Sequence, residues 1–290
     1  MSEQALPDDW MDWVRLNVSR GCTRESMVAL IVQGGFREDL AHLAIDEASG
    51  SSGGPRLPTE APRPRPQPRT EANTVLVDGR AIRVALEVER PQVVVYDGLL
   101  DEAECTALIA LADSRLARST VVDDDNGGLK EHVDRTSAGG FFQRGENELV
   151  ARVEARIEAL LGWPASHGEG LQVLRYGVGG EYKPHFDFFD ADKPGGVAHM
   201  AEGGQRVATL VMYLSDVEAG GATSFPKLGL HVRPCRGSAV YFENTDARGA
   251  VIPNSLHAGA PVVAGVKYIA TKWLRERVYG AVEPAPTQSA

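Results

Sequence analysis

Apolar residues recur at helical spacing over the first 47 residues of the chain. The stripe of the first predicted helix comprises Trp10, Trp13, Val14 and Leu16. The first helix can begin at Asp8 or Asp9 and the second at Thr23, because these side chains can accept hydrogen bonds from the first free backbone amides. Gly21 and Gly34 stand where the first two helices end. The pattern predicts a small unit of three short helices over residues 1–47.

From residue 74 onward the pattern changes to helices followed by many short apolar strands. Asp78-Gly79, between two alternating segments, is a strong signal for a β-hairpin. One amphipathic helix is predicted after Asp101, which forms a capping box with Glu104, and a second over 146–161. Further strands are predicted at 171–177, 181–188, 206–214, 238–243, 256–260 and 266–274. This order indicates an α+β domain built on a sandwich or barrel.

The composition changes abruptly between these two parts. Residues 49–70 read SGSSGGPRLPTEAPRPRPQPRT, with almost no bulky apolar side chain. Such a segment cannot bury enough surface to fold, so 48–73 is predicted to be a semi-extended linker. Residues 74–280 are predicted to form one domain. The final residues, 281–290, read AVEPAPTQSA and are predicted to be a disordered tail.

Charge and composition narrow the class of protein. The formal charge of -10 argues against a nucleic-acid partner, because phosphate binding needs clustered Lys and Arg. No segment approaches the roughly 20 apolar residues that span a bilayer, so no membrane partner is expected. The acidic start lacks the pattern of a secretory signal. Cys22, Cys105 and Cys235 are scattered and odd in number, which indicates free thiols and a cytoplasmic location.

The candidate chemistry concentrates in the tripeptide His185-Phe186-Asp187. Residues two apart in a strand point to the same face, so His185 and Asp187 can reach one metal ion while Phe186 turns into the core. His257, in a later apolar segment, can supply a third ligand. Two imidazoles and one carboxylate form the facial arrangement of non-haem Fe(II) oxygenases, which leaves positions open for a co-substrate and dioxygen.

Lys267 introduces a cation into the apolar segment that follows His257. Its ammonium can meet the distal carboxylate of a 2-oxo acid that chelates the metal, and would select 2-oxoglutarate over shorter oxo acids. The alternative for Lys267 is a surface lysine whose stem lies along a sheet edge. Lys272 is expected to have that surface position. The histidines other than His185 and His257 are expected to be structural or surface groups.

Two longer segments that contain these residues, and a third segment between them, strongly resemble the catalytic family of prolyl 4-hydroxylases, of the bacterial type. They are VLRYGVGGEYKPHFDFF, QRVATLVMYLSDVEAGGATSFP and SLHAGAPVVAGVKYIATKWL. A fourth match is RTSAGGFF at 135–142. The resemblance extends over roughly Pro91 to Arg277 and excludes the helical unit and the linker. This family is a branch of the Fe(II)/2-oxoglutarate dioxygenases.

The resemblance implies a fold and a set of site residues. The expected fold is α+β, with a double-stranded β-helix (jelly-roll) core and supporting helices, joined to the small N-terminal three-helix unit. The implied iron ligands are His185, Asp187 and His257. The implied co-substrate contacts are Lys267, Tyr176 and Thr209. Tyr182 and Trp273 match positions near the substrate proline, and simple barrel packing is the alternative for Trp273.

The resemblance also implies an activity. The expected reaction uses Fe²⁺, 2-oxoglutarate and O₂ to hydroxylate an unactivated C–H bond of a peptidyl proline, with release of succinate and CO₂. Ascorbate is expected to restore iron that has been oxidised without turnover. The same chemistry on a free amino acid or a non-proline side chain stays open as an alternative, and so does a non-catalytic binding protein.

Three features lie outside this pattern. Ala222 stands where the family commonly has Glu, which affects the stability of a turn rather than catalysis. Residues 123–128, DDDNGG, are expected to form a mobile loop over the substrate. The N-terminal helices loosely resemble ubiquitin-associated-type bundles. They are expected to serve docking or oligomerisation, with binding of a specific protein partner as the alternative.

Overall fold

The computed structural model describes residues 6–20, 22–49, 63–118, 120–122, 129–131 and 136–280. The chain divides into two compact units, Met1–Ala61 and Pro62–Ala290. The predicted substrate loop at 123–128 and the predicted tail at 281–290 lie outside the described residues. Among the helices of the described part, none is long and apolar enough to cross a membrane.

The described residues of the first unit form three helices, as the apolar spacing predicted. They are α1 (Asp8–Ser19), α2 (Arg24–Gln33) and α3 (Glu38–Ala48). Thr23 caps α2 by accepting a hydrogen bond from the backbone amide of Ser26. The helices enclose a small apolar core formed by Leu6, Met11, Val14, Met27, Val28, Ile31, Leu40, Ala41, Ala44 and Ile45.

The second unit contains three α-helices, two 3₁₀ helices (Ala165–His167 and Pro253–Ser255) and seventeen strands in its described part. The α-helices are α4 (Glu102–Asp113), α5 (Glu148–Leu161) and α6 (Pro194–Ala201). The strands are β1 (Thr74–Val77), β2 (Arg80–Glu89), β3 (Gln92–Asp97), β4 (Ala117–Arg118), β5 (Thr120–Val122), β6 (Leu129–Glu131), β7 (Ala138–Phe142), β8 (Leu171–Tyr176), β9 (Tyr182–His185), β10 (Arg206–Tyr213), β11 (Ala219–Gly220), β12 (Thr223–Phe225), β13 (Leu230–Val232), β14 (Ala239–Glu243), β15 (His257–Gly259), β16 (Val262–Ala264) and β17 (Lys267–Arg275).

Two antiparallel sheets build the core of this unit. The large sheet has the strand order β1-β2-β3-β14-β10-β17-β8-β7-β4, and the small sheet has the order β13-β12-β15-β9. Two further pairs, β11-β16 and β5-β6, stand outside these sheets. One apolar cluster joins residues of the large and small sheets, and another joins the large sheet to α4 and α5. The predicted α+β fold, with a jelly-roll core supported by helices, is confirmed.

Side chains of the central strands alternate between these two clusters. In β10, Leu210 and Met212 pack towards the helices, whereas Val211 and Tyr213 pack between the sheets. The same period of two holds in β17. Its residues Lys267, Ile269, Thr271 and Trp273 line the cavity between the sheets. Its residues Ala270 and Leu274 belong to the helix-side cluster.

Several local signals in the sequence have the predicted structural outcome. Asp78 and Gly79 both have positive φ, 50° and 75°, as a tight hairpin between β1 and β2 requires. Asp101 and Glu104 form the capping box of α4. Helix α5 begins two residues later than predicted because Asn147 caps it, accepting a hydrogen bond from the Val150 amide.

The turn that carries Ala222 keeps its backbone pairing. Gly220 has a φ of 78°, and a Cβ there would lie 2.3 Å from the carbonyl oxygen of Pro261, so this position requires glycine. The carbonyl of Ala222 accepts a hydrogen bond of 2.8 Å from the Ala260 amide. The turn is thus held by backbone groups that do not depend on a glutamate side chain.

The predicted linker, 48–73, differs from the structure at both ends. Ala48 belongs to α3, and the second unit already begins at Pro62. The Arg65 guanidinium donates to the Glu243 carboxylate at 2.9 Å, and the backbone amide of Gln67 donates to the Leu161 carbonyl at 2.7 Å. Arg65 and Gln67 thus attach the end of the predicted linker to the second unit through an ion pair and a backbone hydrogen bond. The apolar content of the sequence does not reveal such contacts.

The prediction that Lys272 lies on the surface is wrong. Lys272 is 1% exposed, and its ammonium donates to the Glu154 carboxylate of α5 and to the backbone carbonyl of Glu169. Lys272 lies two residues from both Ala270 and Leu274 of β17, which belong to the helix-side cluster, so its side chain also points to the helices. Burial lowers the pKa of Lys272, and the facing carboxylate of Glu154 opposes that effect.

We expect Lys272→Met to lower the free energy of unfolding by about 3 kcal/mol or more, because it leaves the Glu154 carboxylate buried without its cation. Urea denaturation measures the change. Lys227→Met is the matched control, since Lys227 is exposed and its removal should cost less than about 0.5 kcal/mol. An equally small loss in Lys272→Met would contradict a role for this pair in holding α5 to the sheet.

Candidate metal centre

Pairing between β9 and β15 brings two histidines together. His257 lies directly opposite His185 in the antiparallel register. Asp187 follows two residues after the end of β9. One possible ligand atom from each of the three side chains can be chosen so that all lie within 4.8 Å of one another. His185 Nε2 is 3.8 Å from Asp187 Oδ1, and His257 Nε2 is 3.6 Å from Asp187 Oδ2.

Asp187 is positioned differently from the prediction, which placed His185 and Asp187 on one face of a continuous strand. Strand β9 ends at His185, so the alternation of faces does not continue through the tripeptide. Phe186 is 39% exposed and stacks on Phe188, with ring centroids 4.6 Å apart. The prediction that Phe186 turns into the core is therefore wrong. The chain bends after the strand, and the bend, rather than the pleat, directs Asp187 inward.

Backbone carbonyls orient both imidazole rings. The Nδ1 atom of His185 lies 2.7 Å from the Lys183 carbonyl, and Nδ1 of His257 lies 3.0 Å from the Ser255 carbonyl. A carbonyl only accepts, so each Nδ1 carries a hydrogen. In each ring Nε2 is then the nitrogen that can bind a metal, and it is the one that faces Asp187.

Asp187 is buried and is held in its ionised form. Burial by itself raises the pKa of this carboxyl, but His257, His185, Arg206 and a hydrogen bond from Thr209 together lower it below its ordinary value. The Thr209 hydroxyl donates to Asp187 Oδ2 at 2.8 Å. A carboxylate with two imidazoles is a donor set that suits Fe(II).

A cavity extends from these three residues to Lys267. Apolar side chains of Leu174, Val211 and Ile269 form part of its wall. Lys267 begins β17, lies opposite Tyr176 in the register and is 2% exposed. In the described part of the chain its ammonium has no hydrogen bond or ion pair, and lies 5.4 Å from the centre of the Tyr176 ring. Burial lowers the pKa of Lys267 to about 8.

The structure gives Thr209 a different partner from the predicted one and places a second threonine, Thr223, at the cavity. Thr209 is fully buried and is absent from the described residues that line the cavity. Its single hydroxyl hydrogen goes to Asp187, so it cannot also be donated to a co-substrate carboxylate. Thr223 does line the cavity, and its oxygen accepts a hydrogen bond of 2.7 Å from the Tyr213 hydroxyl. The Thr223 hydrogen is therefore available to an acceptor in the cavity.

Tyr182 and Trp273 lie at the metal end of the cavity. The ring of Tyr182 stacks on His185 with centroids 3.5 Å apart. Trp273 is 8% exposed, and its indole N–H has no acceptor in the described part of the chain. The Arg206 guanidinium lies 4.0 Å from the centre of the Trp273 ring and is itself held by Glu169, with Nε to Oε1 at 2.6 Å.

Sequence reasoning missed three residues around the site: Arg206, Thr223 and Asn244. Asn244 Nδ2 donates to the Thr209 hydroxyl at 3.0 Å. Each of the three is a polar residue that begins a buried strand or directly follows one, and that position is the only local signal they carry. The contacts that give them a role come from other strands, so spacing along the chain does not reveal them.

The donor set and the unpaired cation together fit one metal ion and one anionic ligand. Two imidazole nitrogens and a carboxylate are on one side of the cavity, and the buried ammonium of Lys267 is on its wall. A buried cation without a partner carries an uncompensated desolvation cost, which an incoming carboxylate would remove.

Comparison with known proteins also indicates a site for one metal ion and one anionic ligand. Residues 171–275 match the model of the 2OG-Fe(II) oxygenase superfamily. The probable prolyl 4-hydroxylase 3 of Arabidopsis thaliana is 40% identical over 208 residues, which are 65% of this chain and 71% of that protein. Prolyl 4-hydroxylase 5 of the same plant is 42% identical over 202 residues, 63% of this chain and 68% of that protein.

A solved structure extends the likeness to the fold. The viral collagen prolyl hydroxylase of Paramecium Bursaria Chlorella virus-1, in complex with 2OG, has 30% sequence identity and a TM-score of 0.50. The match covers 63% of this chain and 95% of the viral protein. On these matches and on the geometry of its cavity, the chain belongs to the prolyl 4-hydroxylase family of 2-oxoglutarate- and Fe(II)-dependent oxygenases.

Proposed function

We propose that this dioxygenase hydroxylates a proline of a protein or peptide and releases succinate and CO₂. The observation that carries the proposal is one cavity, in a chain of this family, that is lined by three adjacent side chains able to bind a metal and by a buried lysine that no described residue pairs. The proline specificity is supported by the relatives at about 40% identity, which are named prolyl 4-hydroxylases.

His185, Asp187 and His257 would hold the iron. When bound there, Fe(II) supplies the redox chemistry that couples oxidative decarboxylation of 2-oxoglutarate by O₂ to insertion of an oxygen atom into a C–H bond. The protein orients both imidazoles through backbone carbonyls and keeps Asp187 ionised in a buried position. These side chains are thereby arranged for metal binding before the metal arrives.

Lys267, Thr223 and Tyr176 would bind 2-oxoglutarate. The Lys267 ammonium is the counter-ion for the distal carboxylate, and the free hydroxyl hydrogen of Thr223 adds a second donor. Tyr176 lies opposite Lys267 on the neighbouring strand and places its ring beside the same ammonium. The apolar wall between them excludes water, which strengthens the charge-assisted contacts. Thr209, assigned to the co-substrate by resemblance, instead binds Asp187.

Tyr182 and Trp273 would position the substrate. The indole N–H of Trp273 is a donor without an acceptor, and a backbone carbonyl of a bound peptide would supply one. Arg206 holds the indole plane from one face, so the direction of that N–H is fixed. The ring of Tyr182, stacked on a proposed iron ligand, forms a flat apolar surface of the kind on which a pyrrolidine ring packs.

Three further parts of the proposal concern the cellular setting. Ascorbate is proposed as the reductant that returns iron to Fe(II) after turnover without substrate. A cytoplasmic location is proposed because Cys22, Cys105 and Cys235 are free thiols in the described structure. The N-terminal helices are proposed to bind a protein partner, supported by exposed apolar residues on that unit such as Leu43.

We expect purified protein to form succinate from 2-oxoglutarate only when Fe²⁺ is present. His185→Ala or Asp187→Ala should lower this rate by at least about a hundredfold, because either change removes a metal ligand. Succinate is measured by mass spectrometry. His231→Ala is the control, since His231 is exposed and lies outside the cavity. Full turnover in either ligand variant would reject the assigned metal centre.

The KM for 2-oxoglutarate should depend on pH through Lys267. Its pKa of about 8 means that the ammonium is charged below that pH and loses its charge above it. If only the charged form binds the carboxylate, KM should rise about tenfold for each pH unit above 8. At saturating 2-oxoglutarate kcat should not show this dependence, because the bound carboxylate keeps the lysine protonated.

Lys267→Ala tests the same residue at neutral pH. The loss of one charge-assisted hydrogen bond, about 1.5–3 kcal/mol, should raise KM by roughly tenfold to a hundredfold and abolish its rise above pH 8. Lys227→Ala, an exposed lysine, should keep the behaviour of the unaltered protein. A KM that is the same with and without the Lys267 side chain would reject the co-substrate role.

The substrate is tested by mass spectrometry of the proteins of cells that contain the active enzyme or its His185→Ala variant. We expect the mass of one added oxygen atom on proline residues only where the enzyme is active. If the added oxygen occurs solely on a free amino acid or on other side chains, the dioxygenase chemistry holds and the proline specificity is wrong.

A further inference from the structure

A buried chain of hydrogen bonds connects three separate segments beside the candidate metal centre. Asn244, directly after β14, donates from Nδ2 to the Thr209 hydroxyl of β10 at 3.0 Å. Thr209 in turn donates to Asp187 Oδ2 at 2.8 Å. Thr209 and Asn244 are each 0% exposed, and Asp187 is 7% exposed. Water therefore does not compete for these groups.

The direction of this chain of bonds is determined by chemistry. The Asn244 amide nitrogen can only donate, so the Thr209 oxygen must accept from it. A hydroxyl has one hydrogen, and the ionised Asp187 can only accept, so that hydrogen points to Asp187. The amide thus favours the one rotamer of the hydroxyl that serves the carboxylate.

Asn244 is held in place by its backbone. Its amide donates to the Val207 carbonyl at 2.9 Å, and its carbonyl accepts from the Ile252 amide at 2.9 Å. These contacts belong to the main chain and do not need an asparagine side chain. The residue therefore presents its side-chain amide to Thr209 from a fixed position, and any residue type except proline could keep the same backbone contacts.

The side chain of Asn244 carries a cost that folding alone does not explain. Its Oδ1 atom is buried and has no hydrogen-bond partner in the described part of the chain. An unsatisfied buried oxygen costs about 1–3 kcal/mol, and leucine, whose side chain has the same number of heavy atoms and the same branch point, would avoid that cost. The other polar atom of the side chain, Nδ2, donates to Thr209, which in turn donates to the candidate metal ligand Asp187.

We propose that Asn244 is a positioning residue that fixes Asp187 for metal binding and acts through Thr209. The inference rests on the metal centre of the proposed function. The hydrogen bond to Oδ2 restricts rotation of the carboxylate, so that less conformational freedom is lost when a metal binds. Removal of a partner of this kind typically lowers metal affinity by about 10–100-fold.

The test measures the binding of Mn²⁺ alone, as a redox-stable substitute for Fe²⁺, by titration calorimetry. Asn244→Leu should raise the dissociation constant about tenfold. Its melting temperature without metal should not fall, because the substitution also removes the unsatisfied oxygen. A merely structural role predicts the opposite pair of results, a lower melting temperature with normal Mn²⁺ binding by the folded protein, and that outcome would overturn the inference.

A double-mutant cycle tests whether Asn244 acts through Thr209. Thr209→Val should also weaken Mn²⁺ binding about tenfold, and Asn244→Leu should cause no further loss in that background. Thr209→Ser keeps the hydroxyl and should bind Mn²⁺ like the unaltered protein. Losses that simply multiply in the double variant would reject the proposed route, and this result can be obtained with Asn244→Ala if the leucine variant does not fold.

Two controls separate this inference from the function on which it rests. Thr245→Val makes the same chemical change as Thr209→Val at a buried neighbouring position, and should leave Mn²⁺ binding unchanged. His185→Ala should abolish binding if the metal centre is correct. Normal Mn²⁺ binding in His185→Ala would reject the metal centre itself. Loss in His185→Ala with an unchanged dissociation constant in Asn244→Leu would reject only the positioning role.

Discussion

Side chains alternate between two faces of the central strands, and the rest of the structure depends on that alternation. In β17 it sends Lys267 and Trp273 to the cavity and Lys272 to the helices. In β10 it sends Thr209 to the candidate metal centre and Leu210 to the helix-side core. A shift of the register by one residue would exchange these two sets and remove both the site and the attachment of α5.

Buried charges separate into two classes. Most are paired: Lys272 with Glu154, and Arg206 with Glu169, which also binds Arg275. Such pairs offset their desolvation and hold helices and loops to the sheet. Lys267 differs, because no carboxylate of the described residues meets its ammonium. The contrast separates a cation that stabilises the fold from one that is placed to meet a ligand.

The side chains of the metal centre are held partly by strand pairing and backbone carbonyls and partly by polar side chains. Cross-strand pairing positions the two histidines, and backbone carbonyls set their tautomers. Asp187 lies outside the strands and receives its support from Thr209 and Asn244. The ligand with the least support from the sheet is thus the one that has buried side-chain partners, which is the physical basis of the positioning role inferred for Asn244.

The sequence by itself determined the features that depend on near neighbours in the chain. Apolar spacing predicted the three N-terminal helices, Asp78-Gly79 predicted the hairpin, and ordered motifs indicated the family and the candidate ligands. Only the tertiary structure decided that Phe186 is exposed, that Lys272 is buried, and that Thr209 binds Asp187 while Thr223 faces the cavity. Periodicity reveals which side chains share a face of one strand, whereas their partners depend on register, bends and packing between segments that are far apart in sequence.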